Sequence, residues 1–252
     1  MLKIAENILE KVVDVVLISV YFNLEFPKYA RGKRWKIGSA VESDLENFNY
    51  RSLKQALNHL TRNGFIQSFK DSNTLPQISE SGKKRLNSII PFYDEKRIWN
   101  GKLYLVAYDL PREKNNTRNK LRLYLKKIGC GMLQQSIWLT PYNPTTLLRE
   151  FLEEKGIGEL VIISSIGKDG AIGDFDQKEL IQKVYNLSNL NNRYGEFIKK
   201  MKEGKLSRGQ GIFLFLSILN VDPQLPFSLL PEDWLGQKAY NIFRKIKAKG
   251  NN

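Results

Sequence analysis

The chain is predicted to be an α+β protein of three consecutive segments, residues 1–92, 98–170 and 174–252. Three observations predict it. An amphipathic helix that stops at Gly64 is followed by two short extended stretches and a new helix start. Between Trp99 and Ile166, strand and helix periodicities alternate over about 65 residues. Beyond residue 174 the apolar spacing is almost purely helical, broken only by Pro223, Pro226 and Pro231.

Composition supports a folded chain and an anionic partner. Of 252 residues, 42% are apolar and 11% aromatic, enough for more than one core. Net charge is +14 and the isoelectric point about 9.7. Residues 1–98 hold 16 basic and 11 acidic side chains, 99–172 hold 11 and 7, and 173–252 hold 13 and 8. A cation excess on every segment points toward nucleic acid. The single cysteine, Cys130, excludes an internal disulfide and a cysteine zinc site, and the single histidine, His59, gives no support to a histidine-rich metal centre or a Ser-His-Asp triad. Glu6, Glu10, Lys11 and Asp14 interrupt the opening residues, unlike a secretory signal. The longest apolar run, Val12 to Phe22, is too short and too mixed to span a membrane. A cytoplasmic protein that stays off the membrane is expected.

In the first segment, Ile4, Ile8, Leu9, Val12, Val13, Val16 and Leu17 repeat at helical spacing, so a long helix is predicted, ending before Pro27. Lys28, Arg31, Lys33, Arg34 and Lys36 crowd the loop after it, and residues 37–48 are expected to hold a short support helix. With Leu53 as origin of a wheel at about 100° per residue, Ala56, Leu57 and Leu60 fall within about 60° of it. Arg51, Gln55, Asn58 and Arg62 lie near the opposite side, with Lys54 and His59 on the flanks. Gly64 stands where a C-cap is expected. Residues 65–69 and 75–78 then make a short hairpin around a polar turn that carries Lys70, and a helix with a basic surface starts at Ser79. Helix, hairpin and closing helix are the reading half of a winged helix-turn-helix. Long cations and amides are the side chains that bond phosphates and base edges. Arg51, Lys54, Gln55, Asn58, His59, Arg62 and Lys70 are therefore the candidate contacts to duplex DNA. The same pattern also fits an ordinary amphipathic helix beside a hairpin.

After a linker at Pro91 to Arg97, Leu103 to Asp109 reads as a strand, Thr117 to Ile128 as a helix ended by Gly129, and Met132 to Leu139 as one bent strand or two short ones. Thr145 to Lys155 is another helix and Leu160 to Ile166 another strand. This order is the ferredoxin-like plan, with helices on one face of a sheet and the other face open to a partner. In the last segment, Gln177 to Met201 is predicted to be one helix, Gly211 to Asn220 a very apolar one, and Trp234 to Ile246 the last.

Several strings resemble the PaaX family of bacterial transcriptional repressors. They are Tyr108-Asp109-Leu110-Pro111, Arg118 with Leu121-Arg122 and Leu125, Gly129-Cys130-Gly131, and Gln135-Ser136-Ile137-Trp138-Leu139-Thr140-Pro141. Near the end stand Asp222-Pro223-Gln224-Leu225-Pro226 and Leu229-Leu230-Pro231-Glu232-Asp233-Trp234-Leu235-Gly236. The resemblance covers nearly the whole chain and is weakest over residues 23–50. It implies a homodimeric, non-enzymatic repressor that binds a DNA operator, with no resident cofactor and with release by an acyl-coenzyme A thioester. Gly167 to Gly170 and Gly204 to Gly209 are weak phosphate-loop candidates for that ligand, and both read more simply as polar turns.

The middle segment is also similar to the CRISPR adaptation endonuclease, whose first strand ends in a metal-binding aspartate. That resemblance puts Asp109 in the metal-ligand place and raises a nuclease as an alternative. Hydrolysis at Mg²⁺ wants several carboxylates, yet Asp109 is flanked by Arg112 and Lys114, with Glu113 the nearest acid. Its plainer role is to cap a turn beside Pro111 or to pair with Arg118. An RNA-binding or assembly scaffold is a third reading.

Overall fold

The computed structural model describes residues 13–22, 50–67, 77–166 and 176–248. In chain order these hold α1 (residues 13–21), α2 (Tyr50–Arg62), β1 (Ile66–Gln67), β2 (Gln77–Ile78), α3 (Glu80–Ile89), β3 (Leu103–Tyr108) and α4 (Asn115–Lys127). There follow β4 (Gly131–Gln134), β5 (Ile137–Thr140), α5 (Thr145–Lys155), β6 (Val161–Ile166), α6 (Gln177–Val184), α7 (Leu187–Lys202), α8 (Arg208–Leu219) and α9 (Gly236–Ala248). The fold is α+β, as predicted. It divides into two units that do not follow chain order. One gathers Met1–Tyr93, Asn192–Val221 and Leu235–Asn252, the other Asp94–Asn191 and Asp222–Trp234. Among the described residues no helix is long and apolar enough to cross a membrane.

In the first unit, Val13, Val16, Leu17 and Val20 form a three-and-four-spaced stripe on α1 that packs against Ala56, Leu60, Ile66 and Leu86. β1 and β2 pair antiparallel, Ile66 opposite Ile78. The same unit holds an aromatic core. The Phe215 and Phe243 rings stack at 4.4 Å, Phe197 lies 5.6 Å from Phe215, and Phe22 meets Phe243 edge-on at 6.2 Å. α8 is apolar on most sides and is buried at Ile212, Phe215, Leu216, Ile218 and Leu219. Its start is set by a capping box between Ser207 and Gln210, so Gly204 to Gly209 forms the polar connection between α7 and α8. Arg208 then spreads its fork over three carbonyls. Nη1 donates to Phe22 (2.8 Å), Nε to Ile246 (2.8 Å) and Nη2 to Lys247 (3.3 Å).

The second unit is a four-stranded antiparallel sheet in the order β4-β5-β3-β6. Met132 to Leu139 resolves into two strands turning at Gln135-Ser136, with an irregular register between Met132 and Gln134. On one face Val106, Tyr108 and Trp138 meet Leu121 and Leu125 of α4 and Leu148 and Leu152 of α5. The opposite face was expected to be open and is not. Leu103 and Leu139 pack there against Leu180, Ile181, Leu187, Leu225 and Leu229 of the same unit. The apolar alternation of β3 shows both faces to be buried, but not that a segment about 70 residues further on covers one of them.

Two further expectations change. Gln177 to Met201 is two helices, because Asn186 takes a left-handed backbone (φ 50°) that few residues other than glycine and asparagine tolerate. Just before that break, the Tyr185 hydroxyl donates to the Gly129 or Leu139 carbonyl (2.8 Å each) and accepts from the Gly131 amide (3.1 Å). Gly131 permits this approach, since a Cβ there would meet Val184 Cγ1 at 2.4 Å. The second change concerns the linker at Pro91 to Arg97, which contains two buried residues, Tyr93 and Arg97. The Tyr93 ring stacks on Tyr240 at 4.0 Å in the first unit. In the second unit, Arg97 donates from Nε to the Asp94 carbonyl (3.0 Å), faces Asp222 at 3.9 Å and lies 4.7 Å from the Phe227 ring centroid.

Candidate nucleic-acid interface

α2 positions the predicted reading side chains. It contains no acidic residue, and its last turn carries His59 and Arg62, the sign that a helix C-terminus favours. Ala56 and Leu60 are fully buried, whereas Gln55, Asn58, His59 and Arg62 are exposed. Those four stand at i, i+3, i+4 and i+7, one continuous stripe. Arg51 and Lys54 belong to the same helix, but their side chains lie outside the described residues. Lys70, the basic loop at 28–36, the support helix at 37–48 and the Gly167 to Gly170 turn lie outside them too.

The helix ends as its sequence predicts. Gly64 has φ 68°, its amide donates to the Thr61 carbonyl (3.0 Å), and the Phe65 amide donates to Leu60 (2.9 Å). This pair of bonds is the Schellman arrangement. Two exposed side chains return to the helix backbone, Asn63 to the His59 carbonyl and Thr61 to the Leu57 carbonyl. They cap rather than read.

α3 is tied directly to this end of α2. Ser79 Oγ accepts from the Gly82 amide (3.1 Å) and donates to the Gly64 carbonyl (2.5 Å), which also receives Ser81 Oγ (2.7 Å). The Ser79 amide donates to the Phe65 carbonyl (3.0 Å). Gly82 sits so close that a Cβ would lie 2.1 Å from the Phe65 oxygen. Of the cations on α3, Arg85 pairs with Asp14 (2.9 Å) and lies 5.4 Å from the Phe65 ring centroid, so it serves the packing. Lys83 is tied to Glu80 at 2.6 Å, which holds the Glu80 carboxyl below the usual carboxylate range. Lys84 is exposed and was not among the predicted contacts. Its only signal in the sequence is a place in the run Lys83-Lys84-Arg85.

Asp109 is exposed just past β3, and its amide donates to the Leu160 carbonyl (3.0 Å). Arg118, one partner expected for it, instead donates to the Leu110 carbonyl. Among the described residues no three His, Cys, Asp or Glu side chains come together as a metal-binding group. Cys130 is buried, which pushes its thiol up to about 12, far from a reactive thiolate.

Two family models match the chain. The PaaX protein central Cas2-like domain matches residues 96–174, and the PaaX-like protein C-terminal domain matches residues 206–252. The chain belongs to the PaaX family. Among solved structures it is similar to the uncharacterized protein Rv0674 from Mycobacterium tuberculosis, with a TM-score of 0.57 and 19% identity over 93% of this chain and 95% of that one. At that identity the likeness speaks for the fold alone. No curated protein matches the sequence.

Proposed function

We propose that this PaaX-family protein is a transcriptional regulator, a homodimeric repressor that reads a DNA operator with the outer stripe of α2. One observation carries the reading. Gln55, Asn58, His59 and Arg62 share a solvent-facing stripe on a helix without acidic residues, while Ala56 and Leu60 anchor its other side in a core. Nothing in the packing of the helix needs two amides and two basic groups on that side. All four are suited to base edges and phosphates.

In this reading α2, the β1–β2 hairpin and α3 are the reading half of a winged helix-turn-helix, and the sheet with α4 and α5 is a ferredoxin-like core. Two copies would place their α2 helices in successive major grooves, about 34 Å apart or a multiple of it, over a palindromic site. Family membership supports control by a small effector, which the resemblance makes a coenzyme A thioester. Regulation rather than catalysis is the role this assigns.

The test is selection of bound duplexes from a random pool, followed by titration of the enriched site. Gln55→Ala with Asn58→Ala should weaken binding by about 1–3 kcal/mol for each base edge left unread. Arg62→Ala should weaken binding evenly across sequences and reduce the salt slope by about one unit if it meets a phosphate. Unchanged affinity in the double variant, or enriched sites without two-fold symmetry, would overturn the assignment.

A further inference from the structure

The first unit also holds a cleft of about 370 Å³, within the size range of small-molecule sites. Its floor is Ile198 with Leu235, and Gly195 leaves room for the latter, since a Cβ there would lie 3.3 Å from Leu235 Cδ1. Its rim carries Lys199 and Lys202 of α7 and Lys238 of α9. Among the described residues, none of these three lysines enters an ion pair. Glu203, the acid on the rim, is engaged by Lys205 at 2.7 Å.

Helix electrostatics account for part of this charge and not the rest. Lys199 and Lys202 stand in the last turn of α7, where a cation favours the helix. Lys238 stands in the first turn of α9, where a cation opposes it. Three like charges facing one cavity cost energy unless something negative occupies it. An apolar floor under a cationic rim suits a molecule that has both characters.

We propose that this cleft binds a small organic anion, an apolar chain of several carbons ending in a phosphate or carboxylate group. The chain lies over Ile198 and Leu235 beside Gly195, and the head is held by Lys199, Lys202 and Lys238. The site is separate from the α2 stripe, and its occupancy does not depend on DNA being read there.

Calorimetric titration of the full chain, without DNA, tests this with octyl phosphate, octanoate, octanol and inorganic phosphate. Octyl phosphate or octanoate should bind about tenfold or more tightly than both octanol and inorganic phosphate. Lys199→Gln with Lys202→Gln and Lys238→Gln should lose about tenfold in that affinity. A second variant, Ile198→Asn, changes the floor and keeps the charges, and should weaken the alkyl anions while leaving the weak response to inorganic phosphate unchanged. Equal binding of octanol, equal binding of inorganic phosphate, or wild-type affinity in the triple-lysine variant would each overturn the proposal. DNA titrations are a separate readout, so failure of the operator reading leaves these outcomes intact.

Discussion

Substituting Gly82 by alanine tests the junction that fixes the end of α2. Gly82 lies in the first turn of α3 and is buried. On propensity alone, alanine should gain about 1 kcal/mol in a helix interior. The surroundings reverse the sign. The new methyl would lie 2.1 Å from the Phe65 carbonyl oxygen and 2.7 Å from Ile78 Cγ1. Ile78 is a flexible side chain and can turn away, but the Phe65 oxygen is backbone and belongs to the turn that closes α2. Relief therefore needs a backbone shift of about 1 Å, at the about 1–3 kcal/mol typical of overpacking. That shift also stretches the bonds from Ser79 and Ser81 to the Gly64 and Phe65 carbonyls, each worth about 0.5–1.5 kcal/mol. After the propensity gain, a net loss of about 1–3 kcal/mol remains. Urea unfolding followed by circular dichroism measures it, with Asn87→Ala, exposed on the same helix, as the propensity control. If Gly82→Ala were as stable as wild type while Asn87→Ala behaved normally, the close approach of α3 to α2 would be wrong.

Other outcomes follow from the same structure. Tyr185→Phe removes the hydroxyl that joins Gly129, Gly131 and Leu139, and should cost about 1–3 kcal/mol in thermal or urea unfolding, since buried backbone groups lose their partner. Gly131→Ala should be at least as damaging, because it presses on Val184 and the same tyrosine ring. Cys130 gives a pH dependence. Its thiol is raised from 9.0 to about 12 by burial, so the unfolded chain releases the proton first as pH rises. Its contribution is present in full below pH 9 and is lost as pH climbs toward 12, with a slope of up to about 1.4 kcal/mol per unit. Cys130→Ala should flatten that part of a stability profile measured between pH 8 and 11.

What the sequence makes legible is local. The 3.6-residue spacing of Ala56 and Leu60 against Gln55, Asn58 and Arg62 fixes which side of α2 faces solvent, and Gly64 marks its end. Leu103 to Tyr108 and Val161 to Ile166 follow from β-branched and aromatic runs. What it hides is distant pairing. Arg97 looks like one more polar residue of a connection, yet its partners Asp222 and Phe227 lie more than 120 positions away. The break at Asn186 interrupts an apolar spacing that alone reads straight through. The lysine-rimmed cleft joins Lys199 and Lys202 to Lys238 on a different helix, a juxtaposition that no spacing rule connects.

Arg208 has a practical bearing on how such proteins can be recombined. Its guanidinium clasps the end of α1 to the last turn of α9, so the amino-terminal reader and the carboxyl-terminal tail are cut from one piece. A chimera that exchanges only the first 93 residues between two relatives would graft a head onto a foreign neck and leave the Phe22 carbonyl without its clasp. The transplantable module also includes residues 192–221 and 235–252, and operator specificity should travel intact only when all three stretches move together.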